Sequence, residues 1–211
     1  MTIFQLFSQD EVARIEAAIA AAEKQTEGEI VPMVVATSDA YPAANLRFAI
    51  VFAGVLSCIA TYYLPHVLGY LTFALWFFPL LTLGLLIISF IPKIKKPFLN
   101  SVEVERETFE RAVFEFSHHK VYKTKERTGI LIYLSILERR VIVLADEGIN
   151  AKVEPEMWNT VVKELVASIK EGRMAEGLEV AIAACGKSLA QHFPAGPENV
   201  NQLRNRLIVR G

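Results

Sequence analysis

From Phe48 to Pro92 the chain runs for 45 residues without a single Asp, Glu, Lys or Arg. A helix crosses the roughly 30 Å of bilayer hydrocarbon in about 20 residues. The stretch is therefore long enough for two crossings and a tight turn, and too long for one. Its interruption is Tyr63-Leu-Pro-His-Val-Leu-Gly-Tyr70, where Pro65 and Gly69 break helical continuity. The pattern predicts two transmembrane helices, Arg47–Leu64 and Tyr70–Ile91. A charge at the bilayer centre costs about 2.5–3.5 kcal/mol on insertion scales, so a stretch this free of charge is selective for lipid. The competing reading is a hairpin buried in a soluble core.

The flanks predict orientation. Arg47 precedes the first span and Lys93, Lys95 and Lys96 follow the second, while the turn between has no cation. Positive charge stays on the cytoplasmic side. The expectation is a multi-pass inner-membrane protein with both termini in the cytoplasm. Tyr62, Tyr63 and Tyr70 suit the far interface, and Pro79 is expected to kink the second span. Residues 1–10 lack a basic, apolar, cleavable leader, so the first span is expected to act as the targeting signal. A net charge of −1 excludes an electrostatic case for nucleic-acid binding. Cys58 and Cys185 are the two cysteines, too few and too far apart in context for a disulfide framework or a metal motif.

Around the hairpin (residues 45–92) lie two polar pieces, 1–44 and 93–195, followed by a tail, 196–211. Ser8-Gln-Asp-Glu11 is a capping box, with Phe7 and Val12 placed as a hydrophobic staple. Val12, Ile15, Ile19 and Ala22 then recur at helical spacing. Ile30-Val-Pro-Met-Val-Val-Ala36 reads as a buried strand whose Pro32 calls for a free edge or bulge. A helix capped by Asn100 or Ser101 has Phe109, Ala112, Val113 and Phe116 as its apolar side, and a charge run from Glu103 to Glu115 as its solvated side. Gly129–Ile136 and Val141–Ala145 form an antiparallel hairpin covered on both faces. Helices follow from Pro155 to Gly172 and through Leu178, Ile182, Cys185 and Leu189 to His192. The tail reads as polar and loosely held. This order predicts an α/β fold, a small mixed β-sheet between helices, interrupted by the two-helix membrane hairpin.

Gly186-Lys-Ser188 lacks the upstream glycine and the strand-to-helix context of a phosphate loop, and His118-His119 point about 100° apart on a helix. The acidic residues at the strand ends are better candidates. With the usual crossover, the strands at Ile30 and Gly129 are parallel and the last strand ends where they begin. Glu27 and Glu29 then meet Asp146 and Glu147, with Arg127 and Thr128 alongside. Oxygen ligands gathered on one edge suit a hard cation, Ca²⁺ or Mg²⁺. The alternative is a hydrogen-bonded sheet edge in which Arg127 pairs the carboxylates.

Thr26-Glu-Gly-Glu-Ile30, Thr124 with Arg127-Thr-Gly-Ile-Leu-Ile132, Glu138-Arg-Arg-Val-Ile142, Leu144-Ala-Asp-Glu-Gly-Ile149, the Trp158 helix and His192-Phe-Pro194 together resemble the TPM-domain family and its bacterial membrane-anchored branch. That family includes thylakoid-lumen proteins of photosystem II repair and a receptor-associated animal protein. The resemblance implies an α/β/α sandwich, with some members described as acid phosphatases or as binding divalent ions. Most members carry the domain outside the membrane and uninterrupted, whereas this sequence predicts a cytoplasmic domain split by a hairpin. The function expected is a membrane-anchored accessory, assembly or quality-control factor. Its partners would be the bilayer and membrane proteins or further copies of itself. Glu27, Glu29, Asp146 and Glu147 are the expected cation ligands, supported by Thr124, Arg127 and Thr128. The alternative is a metal-dependent phosphatase acting on phosphomonoesters through Asp146 and Glu147.

Overall fold

The computed structural model describes residues 6–63, 71–196 and 201–211. The predicted turn, with Pro65, His66, Gly69 and Tyr70, lies outside them. The chain divides into two compact units, Met1–Ser38 with Glu107–Gly211, and Asp39–Arg106.

The first unit opens with α1 (Gln9–Glu23), started by the predicted capping box: the Ser8 amide donates to Glu11 Oε2 at 2.7 Å and the Glu11 amide to Ser8 Oγ at 3.2 Å. Strands β1 (Glu29–Val35), β2 (Gly129–Ser135) and β3 (Arg140–Ala145) follow the sequence expectation closely. β1 and β2 pair in parallel with Glu29 opposite Gly129, and β2 and β3 pair antiparallel with Ile130 opposite Ala145.

The period of two along the strands explains their unbroken apolarity. Ile30, Val34, Ile130, Ile132 and Leu134 face one core, which holds α1 together with helices α6 (Pro155–Lys170) and α7 (Met174–His192). Val31, Met33, Val35, Leu131 and Tyr133 face a smaller core with Ala112 and Val121. Ala112 belongs to α4 (Ser101–His118), whose sequence begins in one unit and ends in the other. The sheet is thus mixed and covered by helices on both faces. β3 departs from expectation: it is an edge strand in which Val141 alone is buried.

Two further expectations are corrected. The tail is not loosely held, for Ile208–Arg210 forms β4, parallel to β1, giving the order β3-β2-β1-β4. Pro32 is accommodated as predicted. Glu29 donates toward β2 and Ala36 toward β4, so the alternation turns residue 32 toward β4, whose pairing begins only at Met33. The second correction concerns α4. Phe109 and Val113, read as buried, are exposed, while Thr108, Ala112 and Glu115 are buried. A short α5 (Glu147–Asn150) after β3 was not legible in advance.

The second unit contains α2 (Pro42–Tyr63) and α3 (Leu71–Phe90), both long and apolar enough to cross a membrane. α2 starts five residues before the predicted Arg47, because Pro42 is well tolerated in a first helical turn. Ala49, Ala53 and Ser57, spaced four apart, are buried in α2, as are Thr72, Gly84 and Ile88 in α3. A Cβ at Gly84 would lie 3.1 Å from Ala49 Cα, so this glycine sets how closely the helices approach. Pro79 lies inside α3. Beyond it, Arg47 Nη1 donates to the Phe98 carbonyl at 2.9 Å and Lys95 Nζ to the Ala40 carbonyl at 2.7 Å.

Candidate functional site

The sheet topology gathers the predicted site residues at one edge, where β1 and β2 begin and β3 ends. The Glu29 amide donates to the Thr128 carbonyl at 3.1 Å, and the Asp146 amide to the Gly129 carbonyl at 2.9 Å. Thr124 Oγ1 accepts from the Thr128 amide at 2.7 Å, and Thr128 Oγ1 donates to the Glu27 carbonyl at 3.1 Å. Thr124 and Thr128 therefore tie the loop before β2 to the loop before β1, while Arg127 reaches the end of β3. Gly148 closes the corner: a Cβ there would come 2.4 Å from the Glu126 carbonyl oxygen, which no other residue could tolerate unmoved.

The four carboxylates, however, have separate surroundings. Asp146 is buried and caps α5. Its Oδ1 accepts from the Glu147 amide at 2.8 Å and from Arg127 Nε at 3.2 Å. Oδ2 lies 3.2 Å from the same Nε and accepts no hydrogen bond of good geometry. Glu147 is exposed, with Oε2 at 3.4 Å from Arg127 Nη2. Glu27 is half-buried beside Gly196.

Glu29 is buried and turned to the tail, accepting from the Gln202 amide at 2.8 Å and the Leu203 amide at 3.1 Å. Burial raises its carboxyl pKa, and those two amides oppose the rise. Beside it stands Glu23, unforeseen in the sequence because it closes an otherwise ordinary amphipathic helix. Its Oε1 accepts from the Ile30 amide at 2.8 Å. Burial pushes its pKa up to about 8, with the Ile30 amide pulling down, Glu29 adding to the rise and Asn205 opposing it.

Among the described residues, no three His, Cys, Asp or Glu side chains converge as a metal ion requires. The edge as folded fits Arg127 better than a resident cation: the guanidinium lies against Asp146 and Glu147, and Glu29 faces elsewhere. Two coupled acids, Glu23 and Glu29, have the tail as their cover.

A second buried acid escaped the sequence reading. Glu115, at the end of the run taken as solvated, is fully buried. Arg210 Nη1 donates to its Oε1 at 2.8 Å and Oε2 at 3.0 Å, Arg111 Nη2 lies 2.7 Å from Oε1, and His119 Nε2 lies 3.4 Å from Oε2. Glu29 and Glu115 thus hold the same tail at two points. The available signal was a glutamate at i+3 from Ala112 and i+7 from Thr108, on the buried side of α4.

Residues 97–188 match a protein-family model described as TPM domain. Over that segment the chain is similar to a TPM domain. The match spans α4 to most of α7 and includes two of the four strands; β1 and β4 complete the sheet from outside it. The NMR structure of BA42 protein from the psychrophilic Bizionia argentinensis is similar. It is 22% identical with a TM-score of 0.63, and the alignment covers 100% of this chain and 99% of that chain. That likeness speaks to the fold alone. No curated protein matches the chain. Within the matched segment Thr124, Arg127, Thr128, Asp146 and Gly148 build one corner, and outside it Glu29 reaches from β1 to the tail.

Proposed function

We propose that this chain is a membrane-anchored accessory or assembly factor, whose TPM domain binds membrane proteins or further copies of the chain. The observation that carries the anchoring is the exposure of α2 and α3. Their most apolar windows are only 22% and 17% buried, whereas the core helix of a soluble protein is mostly buried. Val51, Val55, Leu75, Phe78 and Leu86 are among the side chains left open. In water such a surface invites aggregation; in hydrocarbon it is the expected exterior of a helix pair. For binding, α4 offers Phe109 and Val113, one turn apart and both exposed. The test is extraction of membranes with alkaline carbonate, which should leave the chain in the pellet. Photo-crosslinking from position 109 should then trap membrane-protein partners or a second copy. Release into the supernatant would overturn the anchoring.

A second reading rests on Asp146 Oδ2, buried and opposed only by Arg127. A divalent cation replacing the guanidinium would take Asp146 and Glu147 as ligands, with Glu27, whose carbonyl is held by Thr128, to supply more. It supports a structural ion more readily than turnover, since hydrolysis needs an activated nucleophile and stabilisation of developing charge. Metal-dependent cleavage of a phosphomonoester that disappears in Asp146→Asn would install the phosphatase reading instead.

A further inference from the structure

A cavity of about 370 Å³ lies at the opposite end of the sheet from Asp146. Leu134, Ile136, Val141, Val166, Ile169 and Met174 form its apolar wall. This is within the about 300–1,000 Å³ of small-molecule pockets, and apolar lining with a few polar groups is their usual make-up. The charged groups here are of one sign, and Ser135 is the other polar side chain in the lining. Arg139 and Lys170 line the cavity and neither has an acidic partner among the described residues.

The carboxylates nearest in sequence are engaged elsewhere. Glu138 accepts from Thr37 Oγ1 at 3.1 Å, from the Ser38 amide at 2.8 Å and from Ser135 Oγ. Glu171 and Glu176 both pair with Arg173. Met174, the first residue of α7, lines the cavity too, and no side chain caps that helix start, whose dipole favours an anion. From this we infer that the cavity binds a small amphipathic carboxylate, a free medium-chain fatty acid. Its tail lies among Leu134, Val166 and Met174, and its head against Arg139 and Lys170. The inference is independent of the acidic edge and of the anchoring.

The four methionines give a local readout. The full chain, in lipid nanodiscs and with ¹³C-labelled methionine methyls, is titrated with octanoate. Met174, assigned through Met174→Leu, should shift saturably, while Met33 and Met157 move less. Acetate, which has the head without the tail, should leave Met174 unmoved. Octanol and the double variant Arg139→Gln, Lys170→Gln should each weaken the response roughly tenfold, the loss of one charge-assisted contact. Val166→Trp, which fills the cavity and keeps both cations, should abolish it. An unmoved Met174 would overturn the inference. So would a shift that octanol reproduces at equal concentration, that the double variant retains, or that depends on protein concentration, the mark of self-association.

Discussion

At the scale of residues, the acids that matter are those the fold buries. Glu23 makes a pH prediction with a definite sign. Between the ordinary carboxyl value of 4.5 and about 8, the folded chain retains a proton that the unfolded chain has released. Stability therefore falls as pH rises through that window. Glu29, also raised, acts in the same sense. His119 opposes them below its ordinary value of 6.5, because burial first, and then His118, Arg210 and Arg206, hold its imidazole neutral against the pull of Glu115. Glu23→Gln should remove most of the fall, raising the melting midpoint at pH 8 and changing it little at pH 4.5. Each pKa unit is about 1.4 kcal/mol, so the flattening amounts to a few kcal/mol. Parallel pH profiles for wild type and variant would remove Glu23 from the account.

Asp146 makes a second prediction. As a cap paired with a half-exposed arginine, it should be worth about 1 kcal/mol when replaced by Ala and less when replaced by Asn. Melting of the wild type should be indifferent to EDTA, Ca²⁺ and Mg²⁺. A rise with either ion that Asp146→Asn abolishes would instead support the cation reading, since an ion bound only to the folded state adds about 2.7 kcal/mol at a hundredfold excess over Kd.

At the scale of elements, β4 is the clearest surprise and the best target. Three residues form a weak strand alone, and Ile208-Val-Arg210 carries no signal distinguishing it from a polar tail. Its place is decided by two acids far in sequence from parts of their cover: Glu29 takes the amide of Gln202, 173 residues on, and Glu115 takes Arg210, 95 residues on. Capping boxes, alternation and turn residues are local, and α1, β1, β2, β3 and α6 were legible from them. Long-range satisfaction of a buried charge is not local, so Glu115 was read as solvated and the tail as loose. Deleting residues 201–211 should leave both acids buried without those donors, at about 1–3 kcal/mol for each unsatisfied group. It should also speed amide exchange at Val34 and Ala36. Arg210→Ala should reproduce a part of the loss. Unchanged melting on deletion would mean that the tail decorates the sheet without supporting it.

In the apolar pair, Gly84→Leu should separate α2 from α3 and lower the melting midpoint in nanodiscs, because the side chain would meet the Ala49 backbone. Leu86→Val, on an exposed position of α3, should not. Equal effects would show that close approach at Gly84 is not what joins them.

At the scale of the whole molecule, the sequence order and the spatial order differ. The polar piece before the apolar pair contributes α1 and the strand β1, and that strand is flanked by β2 and β4 from the piece after it. One sheet built from both pieces requires that both lie on the same side of any membrane the chain enters, hence an even number of crossings. The charge-free stretch made two helices long and apolar enough to cross a membrane legible, and the parallel pairing of Glu29–Val35 with Gly129–Ser135 is an independent constraint that an even number of crossings would meet. The site was less legible: topology puts the strand ends that carry Glu27, Glu29, Asp146 and Glu147 at one edge of the sheet, but not the direction each carboxylate takes. Arg127 and the tail amides decide that, and both are matters of three-dimensional packing. The most direct test is cysteine labelling in a Cys58→Ala, Cys185→Ala background, with Ser8→Cys before the pair and Ser117→Cys after it, both at exposed positions. With a membrane-impermeant maleimide, the account predicts that both are protected in intact cells and both react in inverted vesicles, while His66→Cys reacts from outside. Labelling of Ser8→Cys and Ser117→Cys from opposite sides, or of either from outside intact cells, would contradict it.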